Sequence, residues 1–121
     1  MNIEELRDYC ISKKGTTEDF PFDETTLVFK VMGKMFALTD IESELSINLK
    51  CDPERAIELR EQFSCVLPGY HMSKAHWNTV KIDGSVNDRQ IHRWIDDSYD
   101  LIVAKLTRKQ KEELEKLKQD D

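Results

Sequence analysis

Apolar and polar positions alternate along this chain with two periods, and the change of period marks the elements. Ile3, Leu6, Tyr9 and Cys10 recur at helical spacing, Asn2 can cap that helix with Glu5 three residues on, and Gly15 ends it. A first helix over about Asn2–Lys13 follows. Asp19-Phe20-Pro21-Phe22 reads as a loop holding two inward-turned aromatics. Leu27–Val31 and Lys34–Thr39 are rich in β-branched and aromatic residues around Met32-Gly33, a hairpin signal in which Gly33 is free to take positive φ. In Leu45–Lys50 the period is two: Leu45, Ile47 and Leu49 share one face, and Ser46, Asn48 and Lys50 the other, so one face should be packed and one wet.

The second half returns to helix. Asp52-Pro53 is an N-cap followed by proline at the first helical position, and the helix should reach about Gln62, burying Ala56, Leu59 and Phe63. Pro68-Gly69 turns the chain. A short strand near Tyr70–Met72 and another at Asn78–Ile82 are expected, with Ser73–Trp77 as the bend between them. After Asp83-Gly84, Asn87 and Gln90 offer a capping box to a long helix whose stripe is Ile91, Trp94, Ile95, Ser98, Ile102 and Leu106. Thr107 is a restart cap. The tail to Asp121 carries Leu114 and Leu117 among alternating charges, as a solvated helix that frays at its end. The pattern predicts an α+β fold: a two-layer sandwich, with an antiparallel sheet of about five strands and helices packed on one face. One domain is expected over 1–121, with 107–121 as a charged C-terminal helical tail.

Composition narrows the setting. With 121 residues, 39% of them hydrophobic and 35% charged, the chain can build one core without disulfides or metal. No apolar run approaches the ~20 residues needed to span a bilayer, and the acidic N-terminus is no signal peptide. Cys10, Cys51 and Cys65 are odd in number and lack metal-finger spacing, so reduced buried thiols and a cytoplasmic location are expected. The net charge of −6 works against nucleic-acid affinity, which comes from clustered Lys and Arg.

No Gly-rich phosphate loop, nucleophile elbow or zinc-ligand pattern is present, so no enzyme and no cofactor are expected. His71 and His76 lie five residues apart across a bend with no third ligand marked by spacing, so no metal site is assigned. Trp77 beside a strand start reads as a core or lid residue, and Trp94 as core. Glu4, Glu5 and Asp8 form an acidic face on the first helix, and Asp96, Asp97 and Asp100 a polar face on the last long one.

Met72-Ser73-Lys74-Ala75-His76-Trp77-Asn78-Thr79-Val80, then Ile82-Asp83-Gly84-Ser85 and Asp97-Ser98-Tyr99, resemble the MmcQ/YjbR family of small bacterial proteins. Pro21-Phe22, Gly33-Lys34-Met35-Phe36-Ala37 and Pro68-Gly69-Tyr70-His71 agree with it, and the resemblance runs from about Met1 to Leu106. It implies a frataxin-like (CyaY-like) sandwich and a double-wing DNA-binding role, in which β-hairpins carry basic residues to the nucleic acid. The residues available are Lys30 and Lys34 at the first hairpin, Lys50 at a strand end, and His71, Lys74, His76 and Lys81 around the central stretch. Lysine contacts to phosphate position a protein without reading sequence, and the absence of Arg among them argues against base readout. The expected function is therefore weak, largely sequence-independent DNA binding by a monomer with no membrane partner. The alternative is a frataxin-like scaffold that binds a partner protein or a loosely held cation through acidic helix one.

Overall fold

A computed structural model describes residues 1–117. Ten elements follow one another: α1 (Ile3–Ser12), β1 (Thr16–Asp19), β2 (Thr26–Val31), β3 (Lys34–Asp40), β4 (Ser46–Lys50), α2 (Pro53–Gln62), β5 (Val66–Pro68), β6 (Trp77–Lys81), α3 (Asp88–Ala104) and α4 (Arg108–Lys116). The strands form one antiparallel sheet in the order β1-β2-β3-β4-β6-β5. The fold is α+β, with six strands where the pattern suggested about five.

The helix starts are those the sequence marks. Asn2 and Glu5 make the full capping box of α1, Asp52 caps α2 ahead of Pro53, and Thr107 with Gln110 makes the box of α4. At α3 only half of the expected box forms: Asn87 Oδ1 accepts from the Gln90 N–H at 2.8 Å, with no return bond. One core unites Leu6 and Cys10 of α1, Leu59 of α2 and the α3 stripe with Phe29, Ile47 and Val80 of the sheet, so the helices share one face.

The structure departs from the pattern in several further places. β1 is an edge strand of sequence Thr-Thr-Glu-Asp, whose alternation is half-buried against exposed with no apolar residue to announce it. The fifth strand is Val66–Pro68 rather than Tyr70–Met72. Val66, Leu67 and Pro68 pair with Val80, Thr79 and Asn78, and an edge strand tolerates the proline's missing N–H. The chain then turns at Tyr70–His71, where His71 has φ +58°. Phe20 and Phe22 are 44% and 64% exposed, not turned inward. Asp23 Oδ1 accepts from the N–H groups of Thr25 and Thr26, closing the return into β2 and leaving both rings outside it. Lastly, α4 is docked: Leu114 is buried in the core and Lys14 Nζ donates to the Glu115 carbonyl at 2.9 Å. The expected fraying of the tail concerns residues 118–121, outside those described.

The sheet's other face is not simply wet. Val28, Leu38 and Trp77 form a second buried cluster there, flanked by Met35 and Met72. Asn48 and Thr79 satisfy each other across it, the threonine hydroxyl donating at 2.5 Å.

Candidate nucleic-acid interface

The β2–β3 hairpin turns through Met32 (φ 50°) and Gly33 (φ 79°), a pair of positive values that matches the twist of antiparallel strands. Lys30 and Lys34 flank that tip. Lys30, facing away from the helices, lies 3.5 Å from Asp19 across the β1–β2 ladder, so part of its charge is spent inside the sheet. Lys34 is exposed.

Lys50 ends β4 opposite Trp77. Its ammonium is held below the ordinary lysine range, first by desolvation and then by repulsion from Lys105 and Lys34. Lys34 and Lys105 thus act electrostatically on Lys50, although the chain brings the three from different places.

The loop between β5 and β6 carries Lys74 and His76, both exposed, to the same end. The Cys51 N–H, next to Lys50, donates to the His76 carbonyl at 2.8 Å. Arg60 of α2 fixes the loop from below. Its Nε donates to Asn78 Oδ1 at 2.7 Å and its guanidinium also to the Lys74 carbonyl, while Asn78 donates to the Ala56 carbonyl. Lys74 Nζ donates to the Gly69 carbonyl at 3.2 Å. The loop is therefore held to the body of the protein rather than extended as a free arm.

Two expected residues are set apart. Lys81 pairs with Ser46, four residues along the strands from the Lys50–Trp77 pair, or roughly 13 Å at strand rise. His71 sits in the positive-φ turn, its ring 4.0 Å from that of Tyr70. Trp77 is 7% exposed and covers Val28 and Leu38, so it is a lid on the sheet. Lys105 was missed because only the packing of α3 over β3 and β4 brings its end to Lys50.

The acidic face of α1 is thinned by its own cap. Glu5 Oε1 accepts from the Asn2 N–H, and Asp8 lies 3.9 Å from Arg7. Among the described residues no three His, Cys, Asp or Glu side chains are grouped to hold a metal. The Cys10 thiol is pushed up to about 12 by burial, and burial also raises that of Cys51. Among the described residues no helix is long and apolar enough to cross a membrane.

The sequence profile of the YjbR family matches residues 11–101. The chain is 40% identical over 104 residues to the uncharacterised protein YjbR of Escherichia coli K12, covering 85% of this chain and 88% of that one. It is 29% identical to the uncharacterised YyaQ of Bacillus subtilis, covering 84% and 98%. A crystal structure of a Deinococcus radiodurans protein with a DUF419 domain superposes with a TM-score of 0.87 at 41% identity, over 94% of this chain and 88% of that chain. A Pseudomonas syringae crystal structure gives 0.70 at 32% identity, over 84% and 98%.

Proposed function

This chain belongs to the YjbR family, and from that premise we propose that it binds nucleic acid weakly and without sequence preference, through the cationic end of its sheet. The observation that carries the reading is that the hairpin tip with Lys34, the end of β4 with Lys50 and the loop holding Lys74 and His76 lie at one end of the sheet. Desolvation chiefly lowers the pKa of Lys50, repulsion from Lys105 and Lys34 adds to it, and a polyanion nearby would offset that repulsion. Lys30 contributes less, being paired with Asp19. Contacts of this kind reach phosphates and leave base edges unread.

The test is fluorescence anisotropy with labelled duplex and single-stranded DNA across a salt series. Binding at roughly micromolar concentration in low salt, weakening as salt rises, is expected. Lys34→Glu with Lys74→Glu should abolish it while leaving the melting temperature unchanged. Binding that survives this charge reversal, or none at low salt, would overturn the reading.

A further inference from the structure

On the helical side, α2 and α3 stand apart over β4 and β6 and leave a groove between them. It consists of two adjoining hollows of about 350 and 470 Å³ that share Arg55, Trp94 and Asp97 in their walls. Ligand sites in proteins commonly enclose about 300–1,000 Å³ of mainly apolar wall with a few convergent polar groups. The first hollow has that character: Leu49 and Val80 rise from the sheet, Leu59 from α2, and Leu101 from α3. The second lies toward the start of α3 and is polar.

Charge is distributed unevenly along the groove. Arg55, Arg89 and Arg93 line the second hollow against the single carboxylate of Asp97, in a chain whose net charge is −6. Arg55 reaches Glu58 at 3.1 Å, whereas Arg89 and Arg93 enter no ion pair among the described residues. Desolvation raises the pKa of Asp97, while the charges of Arg93 and Arg55 act the other way and favour its ionised form. At the junction of the hollows stands Trp94, 5% exposed, whose indole N–H has no hydrogen-bond partner among the described residues. A buried donor left unpaired is costly. The N–H itself is closed off behind the wall, so it senses the groove without facing it.

We propose that this groove is a binding site for a small amphipathic carboxylate, its hydrocarbon body lying on Leu49, Leu59, Val80 and Leu101 and its carboxylate among Arg55, Arg89 and Arg93. Guanidinium groups suit a planar, two-oxygen anion better than lysines do. In the first hollow Asp52 and Asp100 outweigh Lys50, which disfavours a second negative charge at the other end of the ligand. The first hollow reaches Lys50, which the cationic sheet end shares, whereas the carboxylate subsite of Arg55, Arg89 and Arg93 lies apart from Lys34 and Lys74.

The two tryptophans supply an internal control, because Trp94 borders the groove and Trp77 lies on the opposite face of the sheet. Nitrogen-15-labelled protein is titrated with octanoate, with 1-octanol (the body without the charge) and with acetate (the charge without the body). Octanoate should shift the Trp94 indole signal saturably and leave that of Trp77 in place, with octanol and acetate each at least about tenfold weaker. Arg89→Gln with Arg93→Gln, at exposed positions, should weaken octanoate about tenfold without changing the melting temperature. Lys34→Glu with Lys74→Glu should leave it unaffected. Octanol binding as tightly as octanoate, an unchanged affinity in the double arginine variant, or a Trp94 signal that does not move would each overturn the proposal.

Discussion

Ser98 completes a hydrogen-bonding pattern that β3 and β4 leave open. The register of β2 against β3 shifts between Phe29 and Lys30, and β3 pairs with β4 only at Ala37 and Leu38. The Ser98 hydroxyl fills the gap, accepting from the Lys50 N–H at 2.9 Å and donating to the Phe36 carbonyl at 2.6 Å. Ser98→Ala leaves both groups orphaned in a buried place, so a loss of about 2 kcal/mol or more is expected in urea unfolding; an unchanged midpoint would mean that water takes the hydroxyl's place. Trp77→Ala should cost about 3–5 kcal/mol by the same measurement, as truncation of a buried aromatic does, since the ring covers Val28 and Leu38. The periodicity places Ser98 on the buried stripe of α3, and the strand start beside Trp77 reads it as a core or lid residue. It says nothing of the hydroxyl's bridging role, because a bulge in another element creates the need for it.

Elements with an apolar stripe or a capping signature were legible, and those held by other forces were not. β1 has neither; it is recruited by ladder bonds to β2 and by Arg7 of α1, whose guanidinium binds Glu18 at 2.5–2.9 Å. α4 has its cap but a single buried anchor, and charge alternation concealed the docking. Leu114→Ala tests that anchor: a loss of about 2–4 kcal/mol is expected by thermal or denaturant unfolding, with hydrogen exchange rising across Arg108–Lys116 first. If α4 were merely solvated, neither would change. The turns carry a pH signature. Asp23 sits below the usual carboxylate range, held chiefly by the Thr26 and Thr25 N–H groups, and side-chain and backbone bonds from Ser43 and Ser85 lower Asp40 and Asp83 respectively. A carboxyl with a depressed folded pKa stabilises above its unfolded value and loses that contribution as pH falls through the folded one. Asp23→Ala should therefore melt at a lower temperature at pH 7, and the difference from the parent should shrink progressively as pH falls below the unfolded value of about 3.9 and through the lower folded one. A difference constant with pH would place the turn's strength elsewhere.

At the scale of the molecule, residue type was readable and convergence was not. Lysines can be counted in a sequence, but whether Lys50 stands beside Lys34 and Lys105, and away from Lys81, depends on strand register and on how α3 lies over the sheet. The arginines of the groove went unseen for the same reason: α2 and α3 are distant in sequence and come side by side only in the folded chain. The one linear trace was the run of Gln90, Arg93, Trp94 and Asp97 along a single helical face. The net charge of −6 then decides how nucleic-acid binding must depend on salt. Each phosphate neutralised contributes about −0.9 to the slope of log affinity against log salt for duplex DNA, so four or five contacts alone would give about −4. The remaining surface repels the duplex, and salt screens that repulsion over a Debye length of about 10 Å at 0.1 M. The two effects oppose each other, so the measured slope should be shallower than contact counting gives, between about −2 and −4. Neutralising acids at the other end of the sheet, for example Glu42→Gln with Glu44→Gln in the exposed β3–β4 turn, should tighten binding at low salt and steepen the slope toward the contact value. A slope that ignores those substitutions would mean that the sheet end acts as an electrostatically isolated site.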